Sequence, residues 1–278
     1  MRKLPVLPNI VTAFALTCGL FVIFKMNMTP VGAVDIHVLT ATAGLLLLAA
    51  FADLIDGALA RALKAESSFG GLFDSLADAI TFGVGPSIIV LKSLSITPGT
   101  VLSFFLTAAA MIYTVCGVLR LVRFNVVNLR DKDNPDLVLA GQKNFTGLPI
   151  PAGAAAVVSA NLLLASEEMH AVLTMSEETR AWLLFGILTV IGYFMISRWK
   201  FPSLKTLRIR VASFQLVLIT VIVAVMIFYG ILNHFPVMFA AISWGYLMVS
   251  WGLSVIRVVT GKDVTALEDF EPDPEELD

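Results

Sequence analysis

The chain has 278 residues, of which 58% are hydrophobic and only 14% are charged, with a formal net charge of −2. A soluble protein would carry roughly 25% charged residues. The composition therefore excludes an ordinary soluble domain and predicts a polytopic membrane protein whose surroundings are the lipid bilayer; we expect no nucleic-acid partner.

Eight apolar segments come close to the ~20 residues that a membrane-spanning helix needs. They lie at approximately 10–30, 37–60, 71–92, 99–122, 149–166, 180–197, 211–232 and 235–257. The segments are continuously apolar and lack the alternating pattern of outer-membrane strands. We therefore predict an all-α protein, a polytopic helical bundle of about eight transmembrane helices.

The positions of the Lys and Arg residues predict the orientation of this bundle, because cytoplasmic loops carry an excess of both. If the N-terminus is cytoplasmic, 16 of the 19 Lys and Arg residues fall inside. Only Lys25, Lys92 and Arg180 fall outside, together with the acidic loop at 167–178. An even number of spans also places the C-terminus in the cytoplasm, so the pattern predicts a multi-pass protein of the cytoplasmic membrane.

The chain divides into three predicted parts. Residues 1–210 form a core with about six transmembrane helices, and residues 211–262 add two more. The last part, 263–278, carries eight acidic residues and two prolines, which is typical of a disordered, solvated tail. The two cysteines, Cys18 and Cys116, lie in different apolar segments without metal-binding spacing, so we interpret them as small buried residues.

Four carboxylates lie in the apolar segments, where placing a charge in the membrane is energetically unfavourable. Asp53 and Asp56 end the second segment, while Asp74 and Asp78 begin the third. An Asp near the centre of a membrane helix costs roughly 2.5–3.5 kcal/mol, and such residues commonly face a bundle interior or a wet cavity. Helical spacings of three and four residues place each pair on one face. The short link between the segments makes the two helices antiparallel neighbours, so all four carboxylates can converge.

Convergent carboxylates with no Cys or His ligand favour a hard cation, Mg²⁺ or Mn²⁺, and two ions are possible. Mg²⁺ held by few carboxylates usually also binds substrate phosphates. Two ions about 3.5–4 Å apart commonly stabilise both oxygens of a phosphoryl displacement. On these residues alone, a structural ion-pair network or a path for protons or ions remains an alternative.

The spacing of these residues resembles the signature of the CDP-alcohol phosphotransferase family. It reads Asp53-x2-Asp56-Gly57-x2-Ala60-Arg61-x8-Gly70-x3-Asp74-x3-Asp78, with every fixed position present. The resemblance implies that an alcohol hydroxyl attacks the β-phosphorus of CDP-diacylglycerol and that CMP leaves. It also implies a homodimer, while the Lys and Arg distribution predicts that the active site lies at the cytoplasmic face.

The resemblance assigns roles to individual residues. It implies that Asp53, Asp56 and Asp74 bind two divalent ions, and that Asp78 approaches the second ion and acts as the catalytic base. The residues expected to contact CDP-diacylglycerol are Asn9, Thr12, Gly57, Ala60, Arg61, Ser67 and Gly70. Gly57 alone is equally typical of close helix packing, and Ser67 with Gly70 is more often an ordinary loop.

Four further blocks resemble the branch of this family whose acceptor is L-serine. They begin at Pro8, Cys116, Phe145 and Ser197, and all lie on the predicted cytoplasmic side. A guanidinium group binds a carboxylate through two parallel hydrogen bonds, which suits an amino-acid acceptor. The candidate serine-binding residues are Arg120, Arg123, Asn125, Lys143 and Arg198.

Other interpretations remain open at this point. The arginines could be interface anchors that follow the charge bias, and Lys143 and Arg198 could contact phosphate or a lipid headgroup. The acceptor could instead be glycerol phosphate, inositol phosphate, choline or a second lipid. A membrane transporter or ion-binding protein is the alternative outside this enzyme class, although it gives no reason for the x8 spacing.

Overall fold

The computed structural model describes residues 6–30, 32–63, 65, 67–131, 144–197, 200–202 and 229–260. Its helices are α1 (Val6–Met28), α2 (Ile36–Ala62), α3 (Ser68–Asp78), a π-helix (Ala79–Val84), α4 (Gly85–Ser93), α5 (Val101–Asp131), α6 (Ile150–Leu164), α7 (Glu167–Val172), α8 (Glu177–Ile196) and α9 (Phe235–Thr260). Two short strands, β1 (Asn144–Thr146) and β2 (Lys200–Pro202), complete the described elements.

The predicted all-α membrane bundle is confirmed. In the described part of the chain, six helices are long and apolar enough to cross a membrane, with α3, the π-helix and α4 forming one continuous rod at Phe69–Ser93. The predicted fifth segment forms α6, which has only 15 residues. Most of the predicted segment at 211–232 and the whole acidic tail lie outside the described residues, so the count of about eight spans stays a prediction.

Polar side chains fix where the main helices begin. The Asp35 carboxylate accepts a hydrogen bond from the Val38 amide at 2.8 Å and caps α2. The Ser67 hydroxyl oxygen accepts from the Gly70 amide at 3.0 Å and caps α3, while Ser176 caps α8 through Thr179 at 3.1 Å. These caps satisfy amide groups that have no partner within the helix itself.

The described residues also form a small antiparallel ribbon, which the all-α prediction did not contain. β1 pairs with β2 so that Phe145 lies opposite Phe201. Gly147 follows with a φ of +83°, and a Cβ at this position would collide with the Met195 carbonyl oxygen. Only glycine combines this left-handed conformation with so close an approach, so the chain enters α6 directly against the end of α8.

The core lies between α5, α6, α8 and the π-helix. Its largest fully buried side chains include Tyr113, Phe82, Ile150, Leu188 and Ile191. The outer faces of α5 and α8 expose leucine and valine side chains, as expected where the surrounding medium is lipid.

A buried polar cluster joins three helices at one end of the bundle. The Asn161 amide oxygen accepts hydrogen bonds from the Arg180 guanidinium at 2.9 Å and from the Ser93 hydroxyl at 3.0 Å. Lys92 donates to the Asn27 carbonyl at 3.4 Å, which brings the end of α1 to the same place. The carboxylates of α2 and α3 therefore lie at the opposite end, which we call the Asp end.

Candidate active site

Three carboxylates meet at the Asp end, where α2 finishes and α3 begins. Asp53 and Asp56 lie one turn apart on α2, and Asp74 lies on the facing side of α3. One oxygen from each of the three lies within 4.8 Å of the others. The predicted convergence of these three residues is therefore present in the structure.

Helix α1 supports this cluster from a third direction. The Thr12 hydroxyl donates a hydrogen bond to Asp56 Oδ2 at 2.5 Å, and both side chains are buried. A hydrogen bond to a charged group holds that group more strongly than one to a neutral group. The bond fixes the orientation of the Asp56 carboxylate at the cluster.

The cluster fits a divalent cation. Asp74 Oδ1 is buried and has no hydrogen-bond partner among the described residues. A buried carboxylate oxygen without a partner is costly unless a ligand or cation satisfies it. Three carboxylates without a nitrogen or sulfur ligand are the donor set of a hard cation such as Mg²⁺ or Mn²⁺.

Asp78 lies beside this triad rather than within it. Its carboxyl group interacts with those of Asp53 and Asp74 and with the Arg120 guanidinium. Arg120 is mostly buried, and its Nε has no hydrogen-bond partner in the described structure. An acidic group and a cationic donor thus stand next to each other at the edge of the carboxylate cluster.

The predicted donor-binding residues surround the same end of α2 and α3. A Cβ added to Gly70 would lie 3.1 Å from Asn9 Oδ1 and 3.1 Å from Ser67 Oγ, so these three residues are neighbours. The Arg61 guanidinium folds back over Gly57, where a Cβ would lie 3.5 Å from its Nη1. Ala60 is half-buried on the next turn of α2.

The predicted acceptor-binding residues have different surroundings. Arg123 is exposed near the end of α5. Asn125 is engaged with α3, because its Nδ2 donates to the Ser75 hydroxyl at 2.9 Å. Lys143 and Arg198 lie outside the described residues.

Two residues near the site were missed by the sequence analysis. Ser75 lies between Asp74 and Asp78, where the signature allows any residue, so its spacing gives no signal. Tyr246 on α9 lies near Arg120 and belongs to residues 211–262, which the sequence predicts to lie outside the core. Its signal is a polar stripe on an apolar helix, formed with Ser243, Ser250 and Ser254, all three of which are buried.

The sequence comparison identifies the class of membrane enzyme to which this helical bundle belongs. The profile of the CDP-alcohol phosphatidyltransferase family matches residues 5–256. The chain belongs to the CDP-alcohol phosphatidyltransferase family.

Individual relatives share one name, CDP-diacylglycerol–serine O-phosphatidyltransferase. The protein of this name from Helicobacter pylori J99 is 28% identical over 267 residues, covering 96% of this chain and 99% of the relative. The one from Mycobacterium leprae is 38% identical over 159 residues, which cover 56% of this chain and 46% of the relative. The one from Bacillus subtilis is 28% identical over 200 residues, covering 72% and 91% respectively.

Proposed function

We propose that this chain is a phosphatidylserine synthase, which transfers the phosphatidyl group of CDP-diacylglycerol to the hydroxyl of L-serine and releases CMP. The observation that carries the proposal is the convergence of Asp53, Asp56 and Asp74, with Asp78 and Arg120 beside them. Similarity to serine-using relatives, one of them over almost its full length, supports serine as the acceptor.

In the proposed reaction, the serine hydroxyl oxygen forms a new bond to the β-phosphorus of the donor. The bond from that phosphorus to the oxygen bridging to CMP breaks, and CMP leaves with the bonding electron pair. Asp78 takes the proton of the serine hydroxyl, because a carboxylate placed at the attacking atom acts as a general base. The step needs no covalent intermediate with the protein.

Asp53, Asp56 and Asp74 would hold Mg²⁺ or Mn²⁺, and we infer two ions, with Asp78 approaching the second. Bound there, divalent ions neutralise the phosphate charge and make a hydroxyl easier to deprotonate. Thr12 keeps Asp56 in place for this role. The unpartnered oxygen of Asp74 is a ready ligand atom.

Different residues are proposed to contact the donor and the acceptor. We propose that Asn9, Thr12, Gly57, Ala60, Arg61, Ser67 and Gly70 contact CDP-diacylglycerol. Arg120 offers its buried, unpartnered Nε to the serine carboxylate. Arg123, Asn125, Lys143 and Arg198 remain further candidates for the acceptor side.

A panel of acceptors tests this proposal. Purified protein in vesicles with CDP-diacylglycerol and Mn²⁺ is given L-serine, glycerol 3-phosphate, inositol phosphate or choline in turn, and CMP and the lipid product are measured. We expect CMP release and a serine lipid with L-serine alone. Turnover with a different acceptor would overturn the choice of serine, and no CMP release with any acceptor would overturn the enzyme assignment.

A matched pair of variants connects the activity to the site. Asp56→Asn removes a carboxylate from the triad, whereas Asp35→Asn makes the same change at the opposite end of α2. Asparagine caps a helix about as well as aspartate, so Asp35→Asn should keep activity. An equal loss of activity in both variants would mean that Asp56→Asn does not act through the carboxylate triad.

We further propose that the protein is a homodimer in the cytoplasmic membrane, with both termini and the Asp end on the cytoplasmic side. The Lys and Arg distribution supports the orientation, and the family resemblance supports the dimer. In the described residues α9 packs on α6, with Trp244 Nε1 donating to the Ala156 carbonyl at 3.2 Å. We propose that residues 211–262 extend the core at residues 1–210, and that 263–278 is a solvated tail.

A further inference from the structure

The transmembrane rod that carries Asp74 and Asp78 is interrupted immediately after Asp78. Residues Ala79–Val84 form a π-helix, in which the Gly85 amide donates to the Ile80 carbonyl, five residues back rather than four. π-Helical turns are rare and often lie at functional sites. This one separates the two carboxylates from α4.

Pro86 explains why the α-helical pattern fails here. In an α-helix the amide of residue 86 would donate to the carbonyl of residue 82, but proline has no amide hydrogen. The Tyr113 hydroxyl donates to the Phe82 carbonyl instead, at 2.8 Å. Both side chains are fully or almost fully buried.

A second hydroxyl contacts the same turn. Thr114 Oγ1 lies 3.1 Å from the Gly83 carbonyl oxygen, 2.9 Å from Ser87 Oγ and 2.9 Å from the Ala110 carbonyl oxygen of its own helix. Helix α5 thus contacts the carbonyl groups of two successive residues of the π-helix through two successive hydroxyl side chains.

Helix α8 holds Tyr113 against the turn. A Cβ added to Gly192 would lie 3.2 Å from the Tyr113 Cα, so the two backbones are in close contact. This close packing fixes the position of the Tyr113 backbone relative to α8. The hydroxyl group is therefore a fixed partner for the Phe82 carbonyl.

The number of residues in this turn decides where Asp74 and Asp78 point. One residue advances a helix by about 100°, because about 3.6 residues complete a turn. Ile89 and Val90 are fully buried, and they fix the rotation of α4 in the core. If the π-helix became α-helical, α3 would rotate relative to α4 and carry both carboxylates away from Asp53.

We propose that Tyr113 is a positioning residue, whose hydroxyl holds the π-helical turn and thereby directs Asp74 and Asp78 toward Asp53 and Asp56. Thr114 and Pro86 contribute to the same π-helical turn. The proposal rests on the proposed function for its catalytic consequence. Its structural consequence, the assembly of the carboxylate cluster, can be measured without turnover.

The test compares Tyr113→Phe with Tyr193→Phe, which removes the hydroxyl of a tyrosine exposed on α8. Mn²⁺ binding to each purified protein is measured by isothermal titration, and kcat and both KM values are measured with CDP-diacylglycerol and L-serine. We expect Tyr113→Phe to weaken Mn²⁺ binding and lower kcat, each by about tenfold, with little change in the KM for serine. Tyr193→Phe should match the unmodified chain.

Pro86→Ala separates positioning from simple loss of stability. Alanine restores the amide that an α-helical turn needs and favours the helix, so the melting temperature should stay the same or rise while Mn²⁺ binding and kcat fall. Unchanged Mn²⁺ binding in both Tyr113→Phe and Pro86→Ala would overturn the proposal. If the unmodified chain binds Mn²⁺ but never releases CMP, the proposed function fails while the Mn²⁺ comparison still decides this inference.

Discussion

At the scale of single residues, the site brings together carboxylates whose negative charges repel one another unless a cation is bound. Three carboxylates within 4.8 Å repel one another, yet Asp56 is buried and fixed by the Thr12 hydroxyl at 2.5 Å. Like charges at this distance need a neutralising partner, and a divalent cation supplies one. Asp78 differs because it has Arg120 beside it, and we propose a separate role for it.

The role of Asp78 as the base is tested by Asp78→Asn. The amide keeps the size of the carboxyl group but cannot accept the serine proton, so kcat should fall by roughly 10²–10⁴-fold, the usual contribution of a general base. Binding of CDP-diacylglycerol, measured by titration, should be largely kept. Full activity in this variant would remove Asp78 from the reaction.

Arg120 and Arg123 form a natural comparison, because one is mostly buried beside Asp78 and the other is exposed. Losing a partner of a buried charged hydrogen bond costs more than losing an exposed one. Arg120→Ala should therefore raise the KM for serine by about tenfold or more, and Arg123→Ala should raise it less. Steady-state kinetics that show an unchanged serine KM for Arg120→Ala would make Arg120 an interface anchor.

At the scale of elements, the periodic parts of the chain were predictable and the contacts between them were not. Apolar length alone located α1, α2, α5 and α8, because a membrane span must be long, helical and apolar. The three- and four-residue spacings of the aspartates predicted their shared faces. These features are local, so they can be found in the sequence of one segment.

The remaining features depend on partners distant in sequence. Tyr113 gives no signal in α5, since its role appears only where it meets Phe82 on the π-helix. The π-helix itself had a usable signal, the run Gly83-Val84-Gly85-Pro86 inside an apolar segment. The pairing of Asn125 with Ser75 joins residues 50 positions apart, and neither residue type predicts it.

Helix α9 is predicted to take part in acceptor binding through Tyr246, which lies near Arg120. Tyr246→Phe removes a polar group from the surroundings of the Arg120 guanidinium, so it should raise the serine KM by roughly threefold to tenfold. The KM for CDP-diacylglycerol should not change. Tyr229→Phe, at an exposed tyrosine before α9, is the matched control, and equal serine KM values in the two variants would contradict the prediction.

At the scale of the whole molecule, the two ends of the bundle differ in chemistry. The Asp end gathers the carboxylates with Arg61 and Arg120, while the opposite end is closed by the buried cluster of Asn161, Arg180 and Ser93. A lipid donor and a water-soluble acceptor meet only at a membrane surface. The site therefore lies where both can reach it, and the charge distribution predicts that this surface is cytoplasmic.

Labelling of single cysteines tests that orientation. Leu63→Cys lies at the Asp end and Ser95→Cys at the opposite end, and both positions are exposed, whereas the natural Cys18 and Cys116 are buried. In intact cells a membrane-impermeant maleimide should label Ser95→Cys and leave Leu63→Cys unmodified until the membrane is opened. The reverse pattern would place the site on the outer surface.

The central claim is that the carboxylate cluster uses a divalent ion to transfer a phosphatidyl group to serine. Its most direct measurement follows labelled L-serine and CMP together, using the purified chain in vesicles that contain CDP-diacylglycerol. We predict one CMP released for each serine lipid formed, full loss of both products after chelation and in Asp53→Asn, and recovery of the unmodified chain when Mn²⁺ or Mg²⁺ is returned. Serine lipid formed without CMP, or formed at an unchanged rate in Asp53→Asn, would contradict the account.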